Sequence, residues 1–176
     1  MRRSPRDLKI ARQIKSHTGK GNSLRLVWEA HDAGISVSLA CALIEQESSF
    51  DNVFGHDHDV AHPHLDNPVR GGTVTKERYR DLRRFVAGGF HSNGVGLTQL
   101  TSVGFLDQAD AAGGAWKPKA QLRVGMRTVG ALIRQFGGDE RKGLAAYNAG
   151  PGNIEGGLDY ADSVLGLKRK WHDRLT

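Results

Sequence analysis

Four stretches of the 176-residue chain combine residue types that can do chemistry. The first is Glu47-Ser48-Ser49-Phe50, which follows the apolar turn Ala42-Leu43-Ile44. That turn desolvates one side of the Glu47 carboxyl, and the negative end of a helix adds to the effect, so both favour the protonated acid. A carboxyl kept protonated near neutrality is what proton delivery to a leaving oxygen requires. On spacing alone, however, an isolated glutamate at a helix end is more often solvated than catalytic. Glu45 lies two residues away and on another face of the same helix. The second stretch, Gly94-Val95-Gly96-Leu97-Thr98-Gln99, is a glycine turn in which Gln99 can donate and accept hydrogen bonds while the glycines permit close backbone approach. In the third, Ala146-Tyr147-Asn148-Ala149-Gly150-Pro151, a phenol and an amide stand just before a helix stop. The fourth interleaves His56, His58, His62 and His64 with Asp57, Asp59 and Asp66. Two His-x-His pairs could chelate zinc or nickel if the segment were extended. Ligand-rich loops without cysteine often stay solvated, and no metal is expected.

Helices must position these residues. Ser4-Pro5-Arg6-Asp7 reads as a capping box opening a helix to about His17. Asn22 or Ser23 caps a second, with Leu24, Val27 and Ala30 on one face and a stop at Gly34; Ser36 caps a third through Leu39, Ala40, Leu43 and Ile44 to about Glu47. Residues 51–72 carry no apolar period and form a long loop or a small β hairpin. Thr75 caps a basic helix with Tyr79, Leu82 and Phe85 on one face, closed by Gly88-Gly89, and a further helix starts near Ser102. Pro118 precedes the clearest core stripe, Leu122, Met126, Val129, Leu132, Ile133 and Phe136. Asp139 caps the next helix, and Tyr160, Val164, Leu167, Trp171 and Leu175 mark the last. The expected fold is mainly α, as one domain over residues 1–176.

In this order, and on this helical background, Glu47-Ser48-Ser49-Phe50, Gly96-Leu97-Thr98-Gln99 and Ala146-Tyr147-Asn148-Ala149-Gly150 resemble motifs of the lysozyme-like superfamily. The likeness is to the soluble lytic transglycosylases and goose-type lysozymes of glycoside hydrolase family 23. Among these the chain is most similar to lysin domains of phages infecting actinobacteria, over roughly Ser36 to the last helix. The resemblance implies a lysozyme-like, goose-type helical domain that cleaves the β-1,4 bond between N-acetylmuramic acid and N-acetylglucosamine in peptidoglycan. It assigns Glu47 as acid and then base, Tyr147 beside it, and Ser48, Gly96, Leu97, Gln99 and Asn148 to the substrate. Thr98 stands where the family has Met, which takes away an apolar sugar contact. Val53-Phe54-Gly55-His56-Asp57 is similar to the Gly-Trp-Gly-Asp segment of goose-type lysozymes, so Asp57 is the second-carboxylate candidate, with Asp59 and Asp66 as competitors. The Glu-Ser pair and the Tyr-Asn-Ala-Gly segment lean slightly toward a transglycosylase product, the Asp57 segment toward hydrolysis.

Composition sets the outer bounds. A net charge of +6 favours an acidic partner, and glycan strands of the wall satisfy it as well as nucleic acid would. The basic helix around Lys76–Arg84 mixes acids with its cations, so it reads as a solvated face and no nucleic-acid partner is expected. Cys41 is the lone cysteine and sits in an apolar run, which excludes an intrachain disulfide. No apolar stretch reaches membrane length. The expectations are a monomer without cofactor, membrane insertion or signal peptide, held in the host cytoplasm until holin-type release or carried on the virion. The competing readings are a noncatalytic wall-binding or virion structural module with the same fold, and a metallohydrolase built on the histidine loop.

Overall fold

A computed structural model describes residues 4–56 and 69–176. Among them are eight α-helices: α1 (Pro5–Thr18), α2 (Ser23–Ala33), α3 (Val37–Ser48), α4 (Lys76–Ala87), α5 (Val103–Ala111), α6 (Pro118–Gln135), α7 (Glu140–Ala149) and α8 (Leu158–Leu175). Short 3-10 turns occupy Gly96–Thr98 and Glu155–Gly157. The mainly α lysozyme-like expectation holds.

Most helix starts are written locally. Ser4 and Asp7 form the reciprocal capping box of α1, Thr75 accepts from the Arg78 N–H, Ser102 from Phe105 and Asp139 from Lys142. Each side chain satisfies a backbone donor that the first turn leaves without an intrahelical partner. The start of α2 differs: Asn22 has φ 64° and makes no side-chain cap. Its buried face also differs from the expected one. Leu26, Val27, Ala30 and Ala33 are buried, whereas Leu24 is half-buried, because the 26–30–33 stripe points into the core and residue 24 falls at its edge.

The chain divides into two compact units, Met1–Gln46 with Met126–Thr176, and Glu47–Gly125. In the first, α1 packs on α2 and α7 on α8, around Ile14, Val27, Leu39, Leu43, Ile44, Met126, Leu144, Val164 and Trp171. Trp171 is buried, and its indole N–H donates to Glu45. Glu45 thus anchors α8 to α3 and has a structural task. The second unit gathers Phe54, Val74, Tyr79, Leu82, Val95, Leu100, Leu106 and Val124 around α4 and α5. The described ends of the 51–72 insert pair antiparallel: Val53 bridges Thr73, Phe54 N–H donates to Gly72 O, and Gly71 N–H to Gly55 O.

Candidate active site

Helix α3 is buried along residues 38–44, which fixes its axis before Glu47 and Ser48 emerge half-buried in its last turn. The helix then stops abruptly. Ser49 (φ 52°) and Phe50 (φ 65°) both take the left-handed conformation, and Gln99 (φ 44°) does so as well. Residues other than glycine adopt it only where surrounding contacts over-determine them, at a cost of about 1–3 kcal/mol each. Of the four such residues among those described, three flank the expected site.

What holds them is a set of long-range hydrogen bonds. Ser48 Oγ donates to Leu97 O at 3.0 Å, tying the end of α3 to the Gly96–Thr98 turn. On the other side of the same residue, Leu97 N–H donates to Gln121 Oε1 at 3.0 Å. Gly96 N–H donates to Val53 O at 2.8 Å. Gly96 is required twice over: its φ is 74°, and a Cβ there would lie 2.0 Å from the Gln121 carboxamide carbon.

Gln99 and Thr98 are both hydrogen-bonded within the fold. Gln99 Nε2 donates to Val53 O at 3.1 Å and to Gly96 O at 2.8 Å, so both amide hydrogens are committed to the backbone. Its Oε1 packs where a Cβ on Gly94 would approach within 2.2 Å. In this arrangement Gln99 braces the turn. Thr98 is fully buried and its hydroxyl donates to Gln121 O at 3.1 Å, so it faces the interior.

Tyr147 and Asn148 occupy the last turn of α7, in the other unit, the first half-buried and the second exposed. Asp57, with Asp59, Asp66, His58, His62 and His64, lies outside the described residues. His56 is exposed, its ring resting on Gly71. Among the described residues no three His, Cys, Asp or Glu side chains converge as a metal site demands.

Sequence reading missed Gln121 and Asn52. Gln121 is 0% exposed, and its Nε2 donates to Asn52 Oδ1 and to Ala115 O, both at 2.8 Å. The available signal was weak, a polar residue between Ala120 and Leu122 and one position off the α6 core stripe.

The sequence model described as the transglycosylase SLT domain matches residues 28–165, most of the chain. The chain belongs to the transglycosylase SLT family. As a member it is a peptidoglycan-cleaving enzyme of the lytic transglycosylase or lysozyme type, and the lysozyme-like resemblance read from three short motifs is borne out. The match begins within α2 and ends within α8, so it takes in both Glu47 and Tyr147. A search of curated proteins finds no match.

Proposed function

We propose that this SLT-domain enzyme cuts the glycan strand between N-acetylmuramic acid and N-acetylglucosamine with Glu47 as its acid and base, leaving a 1,6-anhydro end. The observation that carries the reading is the rigid seat of Glu47. Its helix is buried up to residue 44, ends in two left-handed residues, and is tied through Ser48 to Leu97. Protonated Glu47 gives its proton to the glycosidic oxygen as the bond to the muramic acid C1 breaks and positive charge develops on that sugar. The carboxylate so formed takes the proton of the C6 hydroxyl as that oxygen bonds to C1. Glu47 ends protonated and no water is consumed. The family resemblance gives Tyr147 the task of tuning the carboxyl and Asn148 that of binding substrate.

Hydrolysis with inversion would instead need a second carboxylate at roughly 6.5–9.5 Å, with a water between the two. Asp57 is the residue for that role. Muropeptides released from purified wall by wild type and by Asp57→Asn, resolved by mass spectrometry, separate the two chemistries. Anhydro ends from both proteins are expected. Reducing ends from wild type that vanish in the variant would replace the transglycosylase reading with a hydrolytic one. The likeness to phage lysins supports a lysin delivered to the wall through a holin-type pore or on the virion. Cytoplasmic expression should then lyse cells only when a holin is co-expressed, and lysis without one refutes pore-dependent delivery.

A further inference from the structure

We infer that Gln121, which lies outside the three motifs and holds the backbone of Leu97, is a positioning residue for glycan cleavage. This rests on the reading of Glu47 as the acid. Both donors and the oxygen of the Gln121 carboxamide are engaged inside the fold: Oε1 accepts from Leu97 N–H, and Nε2 donates to Asn52 Oδ1 and Ala115 O. Its backbone carbonyl accepts from Thr98 Oγ1. The side-chain carboxamide and the backbone carbonyl of this one residue therefore fix both ends of the Leu97–Thr98 segment. Leu97 is in turn the residue whose carbonyl receives Ser48, and Ser48 follows Glu47 directly in the chain. The path from Gln121 to the acid is thus two hydrogen bonds on opposite sides of Leu97 and one peptide link.

The chemistry of the position demands a primary amide of this length. A donor pair and an acceptor are both needed, and the space is closed, since a single Cβ on Gly96 would overlap the carboxamide. Aspartate or glutamate would turn an oxygen toward the Asn52 and Ala115 oxygens. Asparagine is one methylene short. If the amide is lost, Leu97 N–H becomes a buried donor without a partner and the turn must shift to recover one. A shift on the order of 1 Å at a reacting group can cost about a hundredfold in rate.

The test is steady-state turnover on solubilised glycan strands, with activity expressed per folded molecule. Gln121→Met, close to Gln in volume, should lower kcat roughly tenfold to a hundredfold while KM stays within about twofold. Gln121→Glu keeps an acceptor for Leu97 N–H but sets its second oxygen against the Asn52 and Ala115 oxygens, so it should recover only a small part of that loss. Ser48→Ala should act on the same step, so the Ser48→Ala/Gln121→Met double variant should be no slower than the slower single variant, because both operate through Leu97. Asn52→Ala removes one bond from the Gln121 amide at a less buried residue, which keeps the test open if Gln121→Met does not fold. It should lower kcat severalfold at unchanged KM. Wild-type kcat in Gln121→Met, or in Asn52→Ala where Gln121→Met cannot be made, overturns the assignment. So do parallel changes in kcat and KM, or losses that multiply in the double variant. Glu47→Gln is assayed alongside: wild-type turnover there removes the acid reading itself, whereas an inactive Glu47→Gln beside a normal Gln121→Met removes only the positioning role.

Discussion

Gly96→Ala isolates what the turn beside Glu47 contributes to stability. Two costs separate cleanly. An alanine at φ 74° carries left-handed strain of about 1–2 kcal/mol. Its Cβ would also stand 2.0–2.2 Å from three atoms of the Gln121 carboxamide, so that group must move. Moving it endangers the bonds to Leu97 N–H, Asn52 and Ala115, and each buried group left unpaired costs about 1–3 kcal/mol. With one or two of them lost, Gly96→Ala should destabilise by roughly 2–8 kcal/mol in total. Gly137 supplies the reference, since its φ of 68° is similar but nothing lies within 4 Å of a Cβ there. Gly137→Ala should therefore cost only the strain, about 1–2 kcal/mol. Urea unfolding followed by circular dichroism measures both. In a Gln121→Ala background the overlap disappears, and Gly96→Ala should fall back to the strain alone. Equal losses at residues 96 and 137 in the wild-type background would refute the packing argument and leave backbone conformation as the whole effect.

Further outcomes follow from the site and the core. Glu47→Gln should fold and bind glycan normally yet lose on the order of a hundredfold to ten-thousandfold in wall cleavage, measured as release of soluble fragments; near wild-type clearing removes Glu47 as the acid. Tyr147→Phe should lower kcat and Asn148→Ala should raise KM on soluble glycan strands, and wild-type behaviour of both would leave the segment a plain helix end. Cys41 is buried, and its burial, with the Glu45 charge adding to it, pushes the thiol well above its ordinary range, so it stays protonated. It should resist iodoacetamide in the native protein and label fully in urea; rapid native labelling would contradict the burial. Exhaustive chelation should leave cleavage unchanged, because proton transfer by Glu47 needs no Lewis acid, and a loss restored by zinc would overturn that.

The helices were legible because their determinants are local. Ser4, Thr75, Ser102 and Asp139 each cap a donor three residues on, a distance that sequence displays directly. The candidate site was legible in its residues but not in their wiring. Gln99 has the donors and acceptor that sugar recognition uses, yet its partners Val53 and Gly96 include one 46 residues away. Gln121 reaches Leu97 and Asn52 across 24 and 69 residues, and nothing in its immediate neighbours marks it beyond a polar side chain beside an apolar stripe. Leu24 and Leu26 are both leucines on one helix, and only packing decides which of them is buried.

The end of α3 shows why its motif is weak when read alone. A serine in the last turn of a helix ordinarily has local choices, among them the carbonyl four residues back. Ser48 instead donates to a carbonyl 49 residues away, and the two residues after it take a conformation that local sterics disfavour. The stop after Glu47 is thus set by the Gly96–Thr98 turn and by what holds that turn, Gln121 and Asn52 included. A helix ended by such contacts presents its last carboxyl in one orientation, where a frayed end would present many. Orientation is what proton transfer to a single glycosidic oxygen requires. The Glu-Ser pair therefore acquires meaning only together with the glycine turn, which is why the motifs identify the family in combination.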